Sequence, residues 1–135
     1  MNQMDFIEKR KAHWNAVANK WGRREGLGKY YHRRVLKIHQ FLVPPGRKIL
    51  ELGCGFGDLL AGLKPAIGIG VDFSAGMIAK AKSKHADLTF ICADASDLEL
   101  HETFDIIVLS DLINDLWDVQ KVLATVSRHA TPGTR

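Results

Sequence analysis

The chain has 135 residues, 46% hydrophobic and 25% charged, which fits one globular domain with a modest core and points to no second one. No run of 18 apolar residues occurs and no basic-then-apolar leader follows Met1, so the expectation is a cytoplasmic protein with neither membrane span nor secretory signal. The formal charge of +4 is uneven: residues 1–40 hold ten Lys or Arg against three acids, and the remaining 95 residues are near −3.

That basic segment admits a nucleic-acid or anionic-surface partner. Its charges, however, alternate with Trp14, Trp21, Tyr30 and Tyr31 at helical spacing, the pattern of solvated helix faces rather than of a basic tail. Phe6, Ile7, Trp14, Val17 and Trp21 predict one amphipathic helix, and Gly22, Gly26 and Gly28 loosen the chain after it. Tyr31, Val35, Ile38 and Leu42 predict a second helix with one apolar stripe, stopped by Pro44-Pro45-Gly46.

Next comes Ile49-Leu50-Glu51-Leu52-Gly53-Cys54-Gly55-Phe56-Gly57-Asp58-Leu59-Leu60, which reads as a buried strand, a turn with three alternating glycines and a helix start. A side chain at any of the three glycines would fill space just beyond the strand's carboxyl end, so the turn lets a ligand lie against bare backbone. A dinucleotide site of the G-x-G-x-x-G kind would place its third glycine at position 58, where this chain has Asp58. Helix N-termini favour anions, and a carboxylate there, with Glu51 two residues before the first glycine, competes with a phosphate. The pocket is suited to a cation.

The run Glu51-x-Gly53-x-Gly55-x-Gly57 resembles the first motif of the class I S-adenosylmethionine-dependent methyltransferases. The resemblance implies a cofactor, S-adenosyl-L-methionine, that carries both a sulfonium and an ammonium, and a contact region of Glu51, Gly53, Cys54, Gly55 and Gly57. It also implies N-terminal helices that fold over the cofactor. Trp14, Trp21, Tyr30 and Tyr31 are then candidate lid residues, with core packing as the alternative, and one of Arg23, Arg24, Arg33 and Arg34 is a candidate partner of the cofactor carboxylate.

After a short helix over 58–63, Ile67-Gly68-Ile69-Gly70-Val71-Asp72 predicts a second strand ending in an acid 19 residues after Gly53. At that spacing a βαβ unit places a carboxylate on a ribose diol. With few protein partners expected for Asp72, the change Asp72→Asn is expected to weaken ligand binding and leave the stability of the ligand-free protein almost untouched. Ser74 is the predicted cap of a helix over 75–84, with Met77, Ile78 and Ala81 on its inner face. Phe73 and Met77 are candidate neighbours of the adenine.

Leu88 to Ala93 predicts a third strand, followed by Asp94-Ala95. The resemblance gives Asp94 the adenine amino group and the neighbouring amide a ring nitrogen. Phe104 to Leu109 predicts a fourth strand, buried on both faces and an exposed edge of the sheet. Ser110-Asp111-Leu112-Ile113-Asn114-Asp115 then lies over the reactive end, Ser110 being a candidate cofactor contact. It lacks the Pro-Pro signature of many amino-directed base methyltransferases. No catalytic residue is assigned; His32, Asp111, Asn114 and Asp115 are candidates for a base. Asp118 is the predicted cap of a helix to about His129, with Val119, Val122, Leu123 and Val126 inward. Cys54 and Cys92 read as reduced packed residues, with a nucleophilic Cys92 as the alternative, and no metal is expected because neither C-x-x-C nor zinc-type His spacing occurs.

The fold expected is α/β, a Rossmann-like parallel sheet of local order 3-2-1-4 with right-handed crossovers. Residues 1–43 would form a helical cap and 44–135 a partial core. The resembled fold has seven strands, so the chain reads as an incomplete methyltransferase fold that stops as strand five begins at Thr134-Arg135. Function is expected to be methyl transfer to a small-molecule or glycan/lipid-type acceptor. The alternatives are a cofactor-binding fragment without turnover, an RNA methyltransferase, and an NAD-dependent oxidoreductase. A short likeness of residues 110–118 to methyltransferase modules that precede a glycosyltransferase domain favours the glycan reading.

Overall fold

The computed structural model describes residues 1–20 and 27–135. Trp21, Gly22, Arg23, Arg24 and Gly26 lie outside the described residues. Helix α1 (Gln3–Asn19) opens with a capping box in which the Asn2 side chain accepts from the Asp5 amide and Asp5 accepts from the Asn2 amide. Helix α2 (Leu27–Leu42) follows. Strand β1 (Lys48–Leu52), α3 (Asp58–Gly62), β2 (Ile67–Asp72), α4 (Ala75–Lys84) and β3 (Thr89–Cys92) then alternate, and after a loop come β4 (Ile106–Val108) and α5 (Val119–Arg128).

The sheet order is β3-β2-β1-β4, all neighbours parallel, as the strand–helix alternation predicts. The central strand β1 is registered with Leu52 beside Val71 and Glu51 beside Val108. Ile49, Leu50 and Leu52 are fully buried, so both faces of β1 are covered, as parallel sheets require. One face packs Leu60, Leu63, Ile78 and Phe90; the other packs Val71, Leu98, Phe104 and Val122.

Four sequence expectations change. Strand β4 is shorter than 104–109 because Phe104 leaves the ladder to pair with Ala130, its amide donating to the His129 carbonyl. The outer edge of β4 is also partly paired: the Arg135 amide donates to Asp105 O and the Ile107 amide to Arg135 O, a parallel pattern. On α2, Tyr31, Ile38 and Leu42 are exposed, and the helix instead packs through Leu36, which fills the hollow left by Gly62. On α5, Leu123 faces outward, while Val122, Thr125 and His129 are buried. His129 ties α5 to the loop before β4: its Nδ1 donates to Thr125 O at 2.7 Å and its Nε2 accepts from the Leu100 amide at 3.0 Å.

Candidate functional site

A cavity of about 710 Å³ lies at the carboxyl ends of β1, β2, β3 and β4, roofed by α1 and the start of α2. This is where open parallel sheets receive ligands, at the point where neighbouring crossovers leave in opposite directions. Its floor is the turn after β1. Gly55 has φ +53°, and a β-carbon there would meet nothing within 4 Å, so bare backbone faces open space. Gly57 plays a different part. With φ +77° it caps α3, and a β-carbon there would come within 2.5 Å of the Phe90 ring; it stands outside the cavity lining. Gly53 lines the cavity and is covered by Leu112.

Two carboxylates dominate the floor. Glu51 is buried, one of its oxygens has no hydrogen-bond partner, and its carboxyl is pushed up to about 8, chiefly by burial and further by the negative charges of Asp72 and Asp58. Asp72 ends β2 and bolts two turns together: the Gly55 amide donates to its Oδ2 at 3.0 Å and the Ser74 amide to its Oδ1 at 2.9 Å. Burial holds its carboxyl above the ordinary range, against the pull of those amides. The expectation that Asp72 has few protein partners is therefore wrong. Cys54 is buried, and burial together with Glu51 and Asp72 drives its thiol far upward, so it is a protonated packing residue. Cys92 is exposed at the end of β3 and outside the cavity lining.

The remaining expected contacts divide by element. Phe73 and Met77 line the cavity at the β2–α4 turn, Met77 also packing with Ala18 and Phe56. Asp94 and Ala95 line it after β3, where Asp94 Oδ1 accepts from the Ser96 amide and hydroxyl. Ser110 lines it after β4. Of the basic cap residues, Lys29, His32 and Arg33 line the cavity; Arg33 also borders the outer hollow of α2, where Arg34 lies with Tyr30 and Phe41.

Sequence reasoning missed how the roof is fastened. From α1, the Trp14 indole donates to Asp115 at 2.7 Å and Arg10 pairs with the same carboxylate. From α2, the Tyr31 hydroxyl donates to Asp111 at 2.9 Å. Asn15 accepts from the Ser74 hydroxyl at 2.5 Å and from the Gly76 amide at 3.1 Å, so a side chain of α1 caps the amino end of α4. Asp111 and Asp115, both candidate bases, are thus engaged by protein donors, while Asn114 is outside the lining. Asp118 caps α5 as expected, accepting from the Lys121 amide.

A parallel sheet of order 3-2-1-4 with a glycine floor and acidic walls at its carboxyl end defines a Rossmann-like ligand-binding domain. Residues 49–133 match the family described as methyltransferase domain, and the chain belongs to that family. Among curated proteins it is similar to a malonyl-[acyl-carrier protein] O-methyltransferase of Anoxybacillus flavithermus, 34% identical over 93 residues, covering 64% of this chain and 36% of the relative. A ubiquinone biosynthesis O-methyltransferase of Pseudomonas putida is 28% identical over 98% of this chain and 62% of its own. The chain spans about a third of the length of the malonyl-specific relatives. Two solved structures share the fold: the DhpI–SAH complex, with TM-score 0.79, 19% identity and coverage of 98% of this chain and 68% of that one, and magnesium protoporphyrin IX methyltransferase of Synechocystis with bound SAM, with TM-score 0.78, 18% identity and coverage of 96% and 74%.

Proposed function

We propose that this chain is the cofactor-binding part of an S-adenosylmethionine-dependent methyltransferase that acts on a small-molecule acceptor in the cytoplasm. The observation that carries the reading is Glu51, a buried carboxylate with an unpartnered oxygen beside Asp72 and Asp58, at the edge of bare Gly55 backbone. A carboxyl so placed gives up its proton beside a sulfonium or an ammonium, which favours a cation there and disfavours a pyrophosphate. When bound, S-adenosylmethionine supplies a methyl carbon made electrophilic by the adjoining sulfonium.

In this reading residues 1–43 are the cap and 44–135 the core. Glu51, Gly53, Cys54 and Gly55 flank the methionine part, with Gly57 shaping the turn from outside. Asp72 has lone pairs beyond those taken by the Gly55 and Ser74 amides, and these accept from the ribose hydroxyls. Phe73 and Met77 border the adenine; the Asp94 oxygen not used by Ser96 accepts from its amino group, and the Ala95 amide serves a ring nitrogen. Ser110 lies at the reactive end. Arg33, with Lys29, is the partner of the cofactor carboxylate, since both line the cavity and Arg34 does not. The small-molecule acceptor is supported by relatives named for malonyl-[acyl-carrier protein] and for ubiquinone biosynthesis.

Calorimetry with S-adenosylhomocysteine and with NAD tests the proposal. Binding of the first and none of the second is expected; NAD binding without the first overturns it.

A further inference from the structure

The cavity runs from the β2 and β3 ends, lined by Asp72 and Asp94, to the loop after β4, lined by Leu116 and Trp117. Helix α1 spans it lengthwise, because Asn15 is fixed to Ser74 and Gly76 beside the Asp72 end while Phe6 stacks with Trp117 beyond β4. Asn15 is nine residue steps along the helix from Phe6, about 13 Å of rise. The far lobe is therefore a separate region of the same cavity, walled by Phe6 and Ile7 from α1 and by Leu112, Leu116 and Trp117 from the loop after β4.

Its chemistry is one-sided. Phe6 and Trp117 meet with ring centroids 5.4 Å apart and planes 54° to one another, leaving a notch with two aromatic sides. Few polar groups reach this end: Asp115 takes Trp14 and Arg10, Asp118 gives one oxygen to the Lys121 amide, and Arg10 Nε is buried without a partner. Gln3 remains. A carbohydrate placed here would lose water from several hydroxyls and find few partners, each unmet group costing about 1–3 kcal/mol. A flat apolar molecule instead gains about 25 cal/mol per Å² of apolar surface removed from water and stacks on either ring.

We propose that the methyl acceptor is an aromatic molecule whose ring is held in the Phe6–Trp117 notch, and that this notch selects against glycans. The proposal rests on the methyltransferase reading for the word acceptor, but the notch itself is testable without it. The whole 135-residue chain is titrated with 1-naphthol and with methyl α-D-glucoside by saturation-transfer NMR, with and without S-adenosylhomocysteine. Naphthol is expected to bind and the glucoside not. Trp117→Ala, at a position 49% exposed and so tolerant of change, is expected to weaken naphthol binding about tenfold while changing S-adenosylhomocysteine affinity less than about twofold. Phe6→Leu, which keeps bulk but removes one aromatic side, is expected to fall between. Glucoside binding in place of naphthol, or naphthol binding indifferent to both substitutions, overturns the proposal. Failure of S-adenosylhomocysteine to bind while naphthol behaves as expected sinks the cofactor reading and leaves the aromatic notch standing.

Discussion

Replacing Glu51 by Gln isolates the ionisation with most leverage on this fold. The Glu51 carboxyl is pushed from 4.5 to about 8, with burial as the largest cause. A folded pKa above the unfolded one means that the folded protein holds a proton the unfolded chain releases. Its contribution is therefore fully present below about pH 4.5 and is lost as pH rises through 8. Each pH unit in that window costs about 1.4 kcal/mol, so from pH 5 to pH 8 the wild type loses roughly 3–4 kcal/mol through this group. Gln has nearly the same shape and no such loss. Its extra amide hydrogen carries an unmet-donor penalty of about 1–3 kcal/mol, but that offset is the same at every pH. Asp72, also raised by burial, titrates in both proteins and largely cancels in the comparison. Urea unfolding of the two ligand-free proteins at pH 5, 6, 7 and 8 measures the difference directly. The stability of Glu51→Gln relative to wild type should climb by roughly 3–4 kcal/mol across the series. Parallel pH profiles would refute the buried proton, whatever the absolute stabilities.

Asp72→Asn should lower S-adenosylhomocysteine affinity about ten- to a hundredfold, measured by calorimetry, and should also destabilise the ligand-free protein by about 1–3 kcal/mol, because an amide NH₂ faces one of the two backbone donors. Unchanged affinity would remove Asp72 from the binding site. Gly55→Ala and Gly57→Ala should separate binding from folding. The first is expected to lose ligand affinity for about 1–2 kcal/mol of left-handed strain, and the second, which drives a methyl group into Phe90, to lose more stability in urea unfolding. Similar losses of affinity and stability in both would contradict the separate roles of the two glycines. Tyr31 is raised above its ordinary 10.0, first by its hydrogen bond to Asp111 and then by that charge; Asp111→Asn should therefore bring the Tyr31 phenol down toward its ordinary value, followed by near-ultraviolet absorbance. An unmoved titration would mean that the α2 fastening to Asp111 does not form.

The order of the strands and the turn after β1 were legible because they depend on local pattern: buried runs, glycine spacing and acids at strand ends. What stayed hidden depended on which surfaces meet. The stripe Tyr31, Ile38 and Leu42 is a sound amphipathic reading, yet α2 turns Leu36 inward because Gly62, distant in sequence, leaves a hollow there. Gly57 shares a motif with Gly55, which suggests a place in the pocket lining, yet its need for glycine comes from its left-handed backbone and from Phe90 on β3. Asp72 was recognisable as a strand-end acid, but its bond to the Gly55 amide requires knowing how closely two turns approach. Asn15, in mid-helix, gave no signal at all.

The fastening of α1 also sets an order of assembly. Its partners lie 59 and 61 residues later for Asn15 and 101 and 105 residues later for Trp14 and Arg10. At ribosomal rates of about 5–20 residues per second, α1 waits roughly 5–20 seconds for the carboxylate that anchors it. A lone helix of this size is marginal in water, so its aromatic side chains stay open to chaperones and to one another until the loop carrying Asp115 is in place. Helix α1 is thus made well before the loop that fixes it in place.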